Sequence, residues 1–248
     1  MTKRVALVTG GTGGIGSAIC RELCSRGHTV VAGYYPPEKE AAEAWQKQKR
    51  DKGFDIGLAA IDVSDFADCE RAVNQIGGEF GGVDILVNCA GITRDGTLKK
   101  MSEANWTAVI KTNLDGAFHV TRHVINGMLD RGWGRIVNIA SVNGQRGQFG
   151  QANYSAAKAG MHGFTMAVAL ETATKGITVN TVSPGYIATA MTEAMPEEVL
   201  KSIINSIPMR RMGSPDEIAN AVGWLASEEN SYTTGANIPV NGGLFASH

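Results

Sequence analysis

Three features of the sequence predict an α/β protein with a doubly wound (Rossmann) parallel sheet of about seven strands and helices on both faces. Short apolar runs rich in β-branched residues alternate with stretches of helical periodicity along the whole chain. A glycine turn, Gly10-Gly-Thr-Gly-Gly-Ile-Gly16, separates the first apolar run from the first helical stretch. Polar and glycine residues gather where the apolar runs stop, as expected if ligands lie along the carboxyl edge of a parallel sheet.

Val5 to Thr9 is the first expected strand, and Ser17 to Cys24 resumes in helical register after the glycines. Strand, glycine turn and helix in that order cradle a pyrophosphate, because glycine lets backbone N–H groups approach closely and a helix N-terminus adds partial positive charge. The turn parses as Gly11-x-Gly13-x-x-Gly16 or as Thr9-Gly10-x-x-x-Gly14-Ile15-Gly16. Gly10, Gly13, Gly14, Ile15 and Gly16 are therefore candidate cofactor contacts.

His28 to Gly33 reads as the second strand and runs into Tyr34-Tyr35. A carboxylate at that point would hold the ribose of NAD, and a basic residue would accept the phosphate of NADP. Neither is present: the nearest cation, Lys39, stands between Glu38 and Glu40 at the start of an expected helix. Ile56 to Val63 reads as a third strand ending in Asp62, which suits either an adenine amino group or a helix cap, with Ser64 and Asp65 better placed for the cap. Val83 to Gly91 contains the fourth strand, ending at Asn88. A long helix is expected from Glu103 to about Asp130; Asn113 is a poor helix former there, so it either bends the helix or serves another purpose.

Arg135 to Ala140 is a buried strand leading to Ser141, a Gly/Gln-rich loop and a helix that runs to Thr174. Tyr154 and Lys158 are four apart and share a face of that helix. An ammonium near a phenol favours the phenolate and is expected to draw its pKa down from about 10 towards working pH. Ser141 has no base beside it in sequence and is expected to hydrogen-bond the oxygen that the phenol protonates. Gly176 to Ser183 is a sixth strand stopped by Pro184-Gly185, and the polar, Met-rich stretch 186–212 is an expected lid. Ser214-Pro-Asp-Glu217 opens a capped helix, and Ala236 to Val240 is the last strand. No repeat or linker divides the chain, so one domain over residues 1–248 is expected.

With 43% hydrophobic and 19% charged residues the chain is globular, and a net charge of −1 calls for neither nucleic acid nor an acidic membrane. The four cysteines show no CxxC spacing and no cluster with histidine, which argues against zinc and against a disulfide framework. No metal is expected, the setting is expected to be cytoplasmic, and neither signal peptide nor membrane span is expected.

Thr9-Gly-x-x-x-Gly-Ile-Gly16, Asn88-Cys-Ala-Gly91, Asn113, Ser141, Tyr154-x-x-x-Lys158 and Pro184-Gly185, in that order, resemble the short-chain dehydrogenase/reductases over essentially the whole chain. The resemblance implies that Tyr154 is the catalytic acid/base, that Lys158 lowers its pKa and holds the nicotinamide ribose, and that Ser141 positions the substrate oxygen. It implies that Asn113 anchors a proton-relay water, and that Tyr34, Asp62, Val63, Asn88, Ala90, Gly91, Pro184, Gly185 and Ile187 contact the cofactor. Cys89 departs from the family's usual second Asn, which is expected to loosen a hydrogen bond in the central sheet. Gly91 to Asp95, Met128 to Arg135, Ser141 to Gln151 and Ser183 to Thr189 are most similar to acetoacetyl-CoA reductases of polyhydroxybutyrate synthesis. That likeness implies an acyl-CoA substrate met by Asp95, Lys100, Gln148, Phe149, Gln151 and Tyr186, with NADP(H) slightly favoured over NAD(H), and a homotetramer built on the helices around Asn113 and Tyr154. Phe149 could instead pack in the core, and Lys100 could be a solvated charge beside Lys99. Two alternatives stand beside this: a β-ketoacyl-acyl-carrier-protein reductase, and a dinucleotide sensor without turnover.

Overall fold

The computed structural model describes residues 3–189, 192 and 196–246. Seven strands form one parallel sheet: β1 (Val5–Val8), β2 (Thr29–Tyr34), β3 (Ile56–Ala60), β4 (Ile85–Asn88), β5 (Gly134–Ile139), β6 (Ile177–Pro184) and β7 (Asn237–Val240), in the order β3-β2-β1-β4-β5-β6-β7. Leu7 of β1 lies opposite Val31 of β2 and Leu86 of β4, so the direction of winding reverses beside β1. That reversal opens a crevice at the carboxyl ends of β1 and β4, where ligands of such sheets sit.

The helices are α1 (Gly14–Ser25), α2 (Lys39–Arg50), α3 (Phe66–Phe80), α4 (Glu103–Ile110), α5 (Gly116–Arg131), α6 (Val142–Arg146), α7 (Ala152–Thr172), α8 (Glu197–Ser206) and α9 (Pro215–Leu225). Ala6 and Val8 face one side of the sheet, packing with Ile19 and Leu23 of α1 and Ile218, Val222 and Leu225 of α9. Leu7 faces the other, with Ile76 of α3 and Val120, Val124 and Met128 of α5. Successive strand residues point to opposite faces, and both faces are covered. That is why β1 to β4 read as nearly continuous apolar runs, while β5 and β6 also carry buried polar residues. Each fully buried large aliphatic side chain is worth about 1.5–3 kcal/mol of transfer free energy.

Several boundaries differ from expectation for local reasons. β3 stops at Ala60, two residues before Asp62, because Asp62 turns back to hold Ser64 and its own N–H donates to Asp68 Oδ2 at 2.8 Å. Asp65 caps α3, its carboxylate accepting the Asp68 N–H at 2.9 Å. The expected helix from Glu103 to Asp130 is interrupted by one π turn, Lys111–Asp115, that carries Asn113. Pro184 belongs to β6 as its last residue. Of the expected lid, residues 190, 191 and 193–195 lie outside the described residues; the described part contains α8 and is anchored by Ile207, which is buried. Ser214 and Glu217 form the reciprocal cap expected at the start of α9.

A buried polar ladder crosses the sheet beneath the crevice. Asn88 Nδ2 donates to Asn138 Oδ1 at 2.8 Å and to Thr121 Oγ1 at 3.1 Å, and Asn138 Nδ2 donates to Thr165 Oγ1 at 2.8 Å. Thr181 Oγ1 donates to the same Thr165 oxygen at 2.8 Å. β4, β5 and β6 are thereby keyed to α5 and α7 by bonds that a slipped register could not make. Beside Cys89, the backbone of this edge is held by the Thr9 N–H, which donates to the Val87 carbonyl at 3.0 Å. Asn138→Ala is expected to cost about 1–3 kcal/mol, the penalty of stranding buried polar partners, read as a lower urea midpoint with unchanged slope.

Candidate active site

The glycine turn is shaped for close approach. A side chain at Gly16 would run into the Gly10 carbonyl, so α1 can start only where residue 16 has none. α1 begins at Gly14, and its N-cap residue, Gly13, supplies no side chain to the first-turn N–H groups. Those donors, with the helix dipole behind them, fit the pyrophosphate of a dinucleotide. Gly13 and Gly14 are exposed and Ile15 is half-buried against the core. Thr9 Oγ1 accepts the N–H groups of Cys89 and Ala90 at 3.0 and 3.1 Å, which ties the end of β4 to the turn.

The other predicted cofactor residues ring the same edge, with different duties. Tyr34 is buried at the end of β2, whereas Lys39 is exposed and pairs with Glu43 at 3.8 Å. Asp62 Oδ1 accepts from both the N–H and the hydroxyl of Ser64, at 3.0 and 2.7 Å. Val63 presents its carbonyl to His119 Nδ1 at 2.9 Å. The amide nitrogen of Asn88 points into the polar ladder. Gly185 N–H joins the Val240 carbonyl at 2.9 Å, and Ile187 is buried in the core beside α1 and α9.

Ser141, Tyr154, Lys158 and Asn113 converge. Lys158 Nζ lies 5.6 Å from the Tyr154 ring centre and donates to the Ile139 carbonyl at 2.7 Å, fully enclosed at the end of β5. Asn113 is also fully buried: Oδ1 accepts the Ile92 N–H at 2.8 Å and Nδ2 donates to the Ile92 carbonyl at 2.9 Å. A side chain at Gly91 would come within 3.3 Å of Asn113 Oδ1 and 3.6 Å of Lys158 Nζ. Gly91 therefore sits between the two, and the π turn is what brings Asn113 there.

Burial, not the neighbouring cation, dominates the titration of this group of residues. Desolvation raises the Tyr154 phenol above its ordinary value, opposed by a hydrogen bond from Ser141. The expected lowering by Lys158 is thus corrected: Lys158 is itself pushed down to about 8 by burial. A cation held out of water is partly discharged near neutral pH and anchored to a carbonyl, so it pulls on the phenol less than helical spacing suggests.

The expected substrate residues divide into a bonded group and an exposed group. Gln151 Nε2 donates to Asp95 Oδ2 at 3.0 Å, and Asn143 Nδ2 donates to Gln151 Oε1 at 2.9 Å. Phe149, 86% exposed, stands at the loop tip, which removes core packing as its role. Gln148 and Lys100 are exposed, and Tyr186 is half-buried. Tyr186 also lines a cavity of about 330 Å³ with Ile207, Met209 and Asn241, which includes no other predicted site residue. Sequence reasoning missed Asn143 and Asn153. Asn153 Nδ2 donates to the carbonyls of Arg94 and Asn105 at 3.0 and 3.3 Å, and its Oδ1 accepts the Tyr154 N–H at 2.8 Å. An Asn directly before the tyrosine was the available signal.

The doubly wound sheet with its glycine turn at the start of α1 defines a dinucleotide-binding protein of the Rossmann class. A family model described as short chain dehydrogenase matches residues 4–200, and the chain belongs to that family. It is 63% identical over 242 residues to an acetoacetyl-CoA reductase of Allochromatium vinosum, covering 98% of each chain. It is 56% identical to one of Cupriavidus necator, covering 98% of this chain and 99% of the other. A 3-oxoacyl-(acyl-carrier-protein) reductase of Haemophilus influenzae is 45% identical over the full length of both. Among the described residues, no helix is long and apolar enough to cross a membrane, and no group of three His, Cys, Asp or Glu could hold a metal.

The buried ammonium implies a cost to stability. Because its folded pKa of about 8 lies below the ordinary 10.5, the folded state sheds this proton first, and stability rises with pH between those values. The cost is fully present below about pH 8 and amounts to roughly 3 kcal/mol at most. Lys158→Met is expected to melt higher than the wild type at pH 7 and to lose that advantage by pH 10.5, as followed by thermal unfolding.

Proposed function

We propose that this protein reduces the 3-keto group of acetoacetyl-CoA to give 3-hydroxybutyryl-CoA. The near-full-length likeness to two acetoacetyl-CoA reductases carries this reading. When bound, the reduced nicotinamide supplies the hydride. Tyr154 gives its proton to the keto oxygen; a phenol whose pKa is raised by burial stays protonated, as reduction requires. Ser141 donates a hydrogen bond to the same oxygen. Lys158 holds the ribose end of the cofactor and returns a proton to the phenol. Both polar atoms of the Asn113 side chain are engaged by Ile92. The backbone of the π turn is then what anchors the relay water, since a π turn displaces a carbonyl from the regular ladder.

Asp95, Gln151, Gln148 and Tyr186 line the acyl path, Phe149 closes over a short acyl chain from its exposed loop, and Lys100 meets the nucleotide end of the thioester. NADP(H) is slightly favoured over NAD(H) by the resemblance to acetoacetyl-CoA reductases, since the end of β2 carries neither a carboxylate nor a free cation to decide it. The chain works as a single domain, with residues 186–212 covering the site, in a cytoplasmic setting. It assembles as a homotetramer through α5 and α7, which expose Phe118, Met166 and Leu170. Leu170→Glu is expected to shift sedimentation to a smaller species.

A second reading, reduction of the same keto group on an acyl-carrier-protein thioester, is favoured by the 45% identical relative. Assaying both thioesters with NADPH and with NADH at matched concentrations separates the readings and settles the cofactor. Tyr154→Phe is expected to lower turnover by about two to four orders of magnitude while cofactor binding, followed by nucleotide fluorescence, is unchanged. Turnover near that of the wild type would overturn the assignment.

A further inference from the structure

Asn143 lies two residues after Ser141 and takes part in two bonds, one from its backbone to the Ser141 hydroxyl and one from its side chain to the loop before α7. Its backbone N–H donates to Ser141 Oγ at 3.1 Å, and its side-chain Nδ2 donates to Gln151 Oε1 at 2.9 Å. Gln151 Nε2 in turn donates to Asp95 Oδ2 at 3.0 Å. The direction of this chain is set from its far end. An ionised carboxylate accepts only, so Gln151 must face it with its nitrogen and turn its oxygen towards Asn143. Asn143 must then present its nitrogen, and its Oδ1 is left buried without a protein partner among the described residues. Ser141 Oγ already accepts a backbone N–H, so its own proton remains to be donated.

We propose that Asn143 is a positioning residue: a polarised chain of hydrogen bonds, Asp95 to Gln151 to the Asn143 side chain, locks the loop after β4 against the loop before α7 and holds in place the residue whose backbone N–H occupies the Ser141 oxygen. The second bond between those loops, Gly96 N–H to the Gly150 carbonyl at 2.8 Å, places their backbones in register for it. The proposal rests on the reductase reading and deepens it, because it makes Gln151 a strut of the acyl path rather than a free ligand for the thioester. Direct contact with substrate then falls to Ser141, Tyr154, Gln148, Phe149, Tyr186 and Lys100.

The chain's direction can be reversed chemically. Asn143→Asp puts carboxylates at both ends of Gln151, so one of its ends must meet oxygen with oxygen. Adding Asp95→Asn lets the Asn at 95 donate to Gln151 Oε1 while Gln151 Nε2 donates to the acid at 143, and every bond is remade in the opposite sense. Asn143→Asp alone is expected to lower kcat/KM for acetoacetyl-CoA roughly tenfold, mainly through KM, the kinetic equivalent of one stranded polar contact. The dissociation constant for NADPH should not change. The double variant is expected to recover activity above the Asn143→Asp level, and Asp95→Asn alone to lose less than Asn143→Asp. A double variant no better than Asn143→Asp would overturn the proposal. Thermal midpoints of the same proteins follow the same order if the chain exists. They decide it even if acetoacetyl-CoA proves not to be the substrate, which would be seen as an inactive wild type.

Discussion

The ammonium of Lys158, enclosed at the end of β5 and bonded to the Ile139 carbonyl, is the constraint around which the rest of the site is arranged. A charge in that position has to be surrounded by groups that tolerate it. Gly91 gives it room, Asn113 stands across that glycine, and the Tyr154 ring presents its face at 5.6 Å. None of these residues could move independently without exposing the cation to apolar surface or closing the gap it occupies. The low pKa of this lysine and the high pKa of the phenol have one cause, the exclusion of water, and that exclusion keeps a proton on the tyrosine and loosens one on the lysine.

Rigidity at this point comes from the sheet. α7 carries both Tyr154 and Lys158, and its middle is keyed to β5 and β6 through Thr165. The ends of β1 and β4 are held by the Thr9 hydroxyl. The crevice therefore has fixed walls on the dinucleotide side, while the acyl side is made of exposed loops carrying Phe149 and Lys100. Such a division suits an enzyme that holds one partner in a constant pose and admits another along its surface.

All seven strands were legible in the sequence, because short runs rich in Val, Ile and Ala alternate with helical stretches and end in polar residues or glycine. The start of α9 was legible from Ser214 and Glu217, whose bonds are local. The π turn was not: Asn113 raises the question, but the answer depends on Ile92, a partner 21 residues away on another element. The chain through Asn143 was hidden for the same reason, since Gln151 and Asp95 are 56 residues apart. The sign of the tyrosine's shift was misjudged because helical spacing reveals a neighbouring charge and says nothing of how much water the fold leaves around it. Asp62 ended its strand early because its carboxylate found Ser64, two residues on, a local choice that apolar patterning does not register.

The π turn at Lys111–Asp115 has one more consequence. Such a turn closes on i→i+5 bonds and widens the helix locally. Val109 before it and Val120 after it are both fully buried. The turn sets the Asn113 amide beside Gly91 and Lys158 while the valines on either side stay buried, so the polar centre and the packed core share one stretch of backbone without sharing residues.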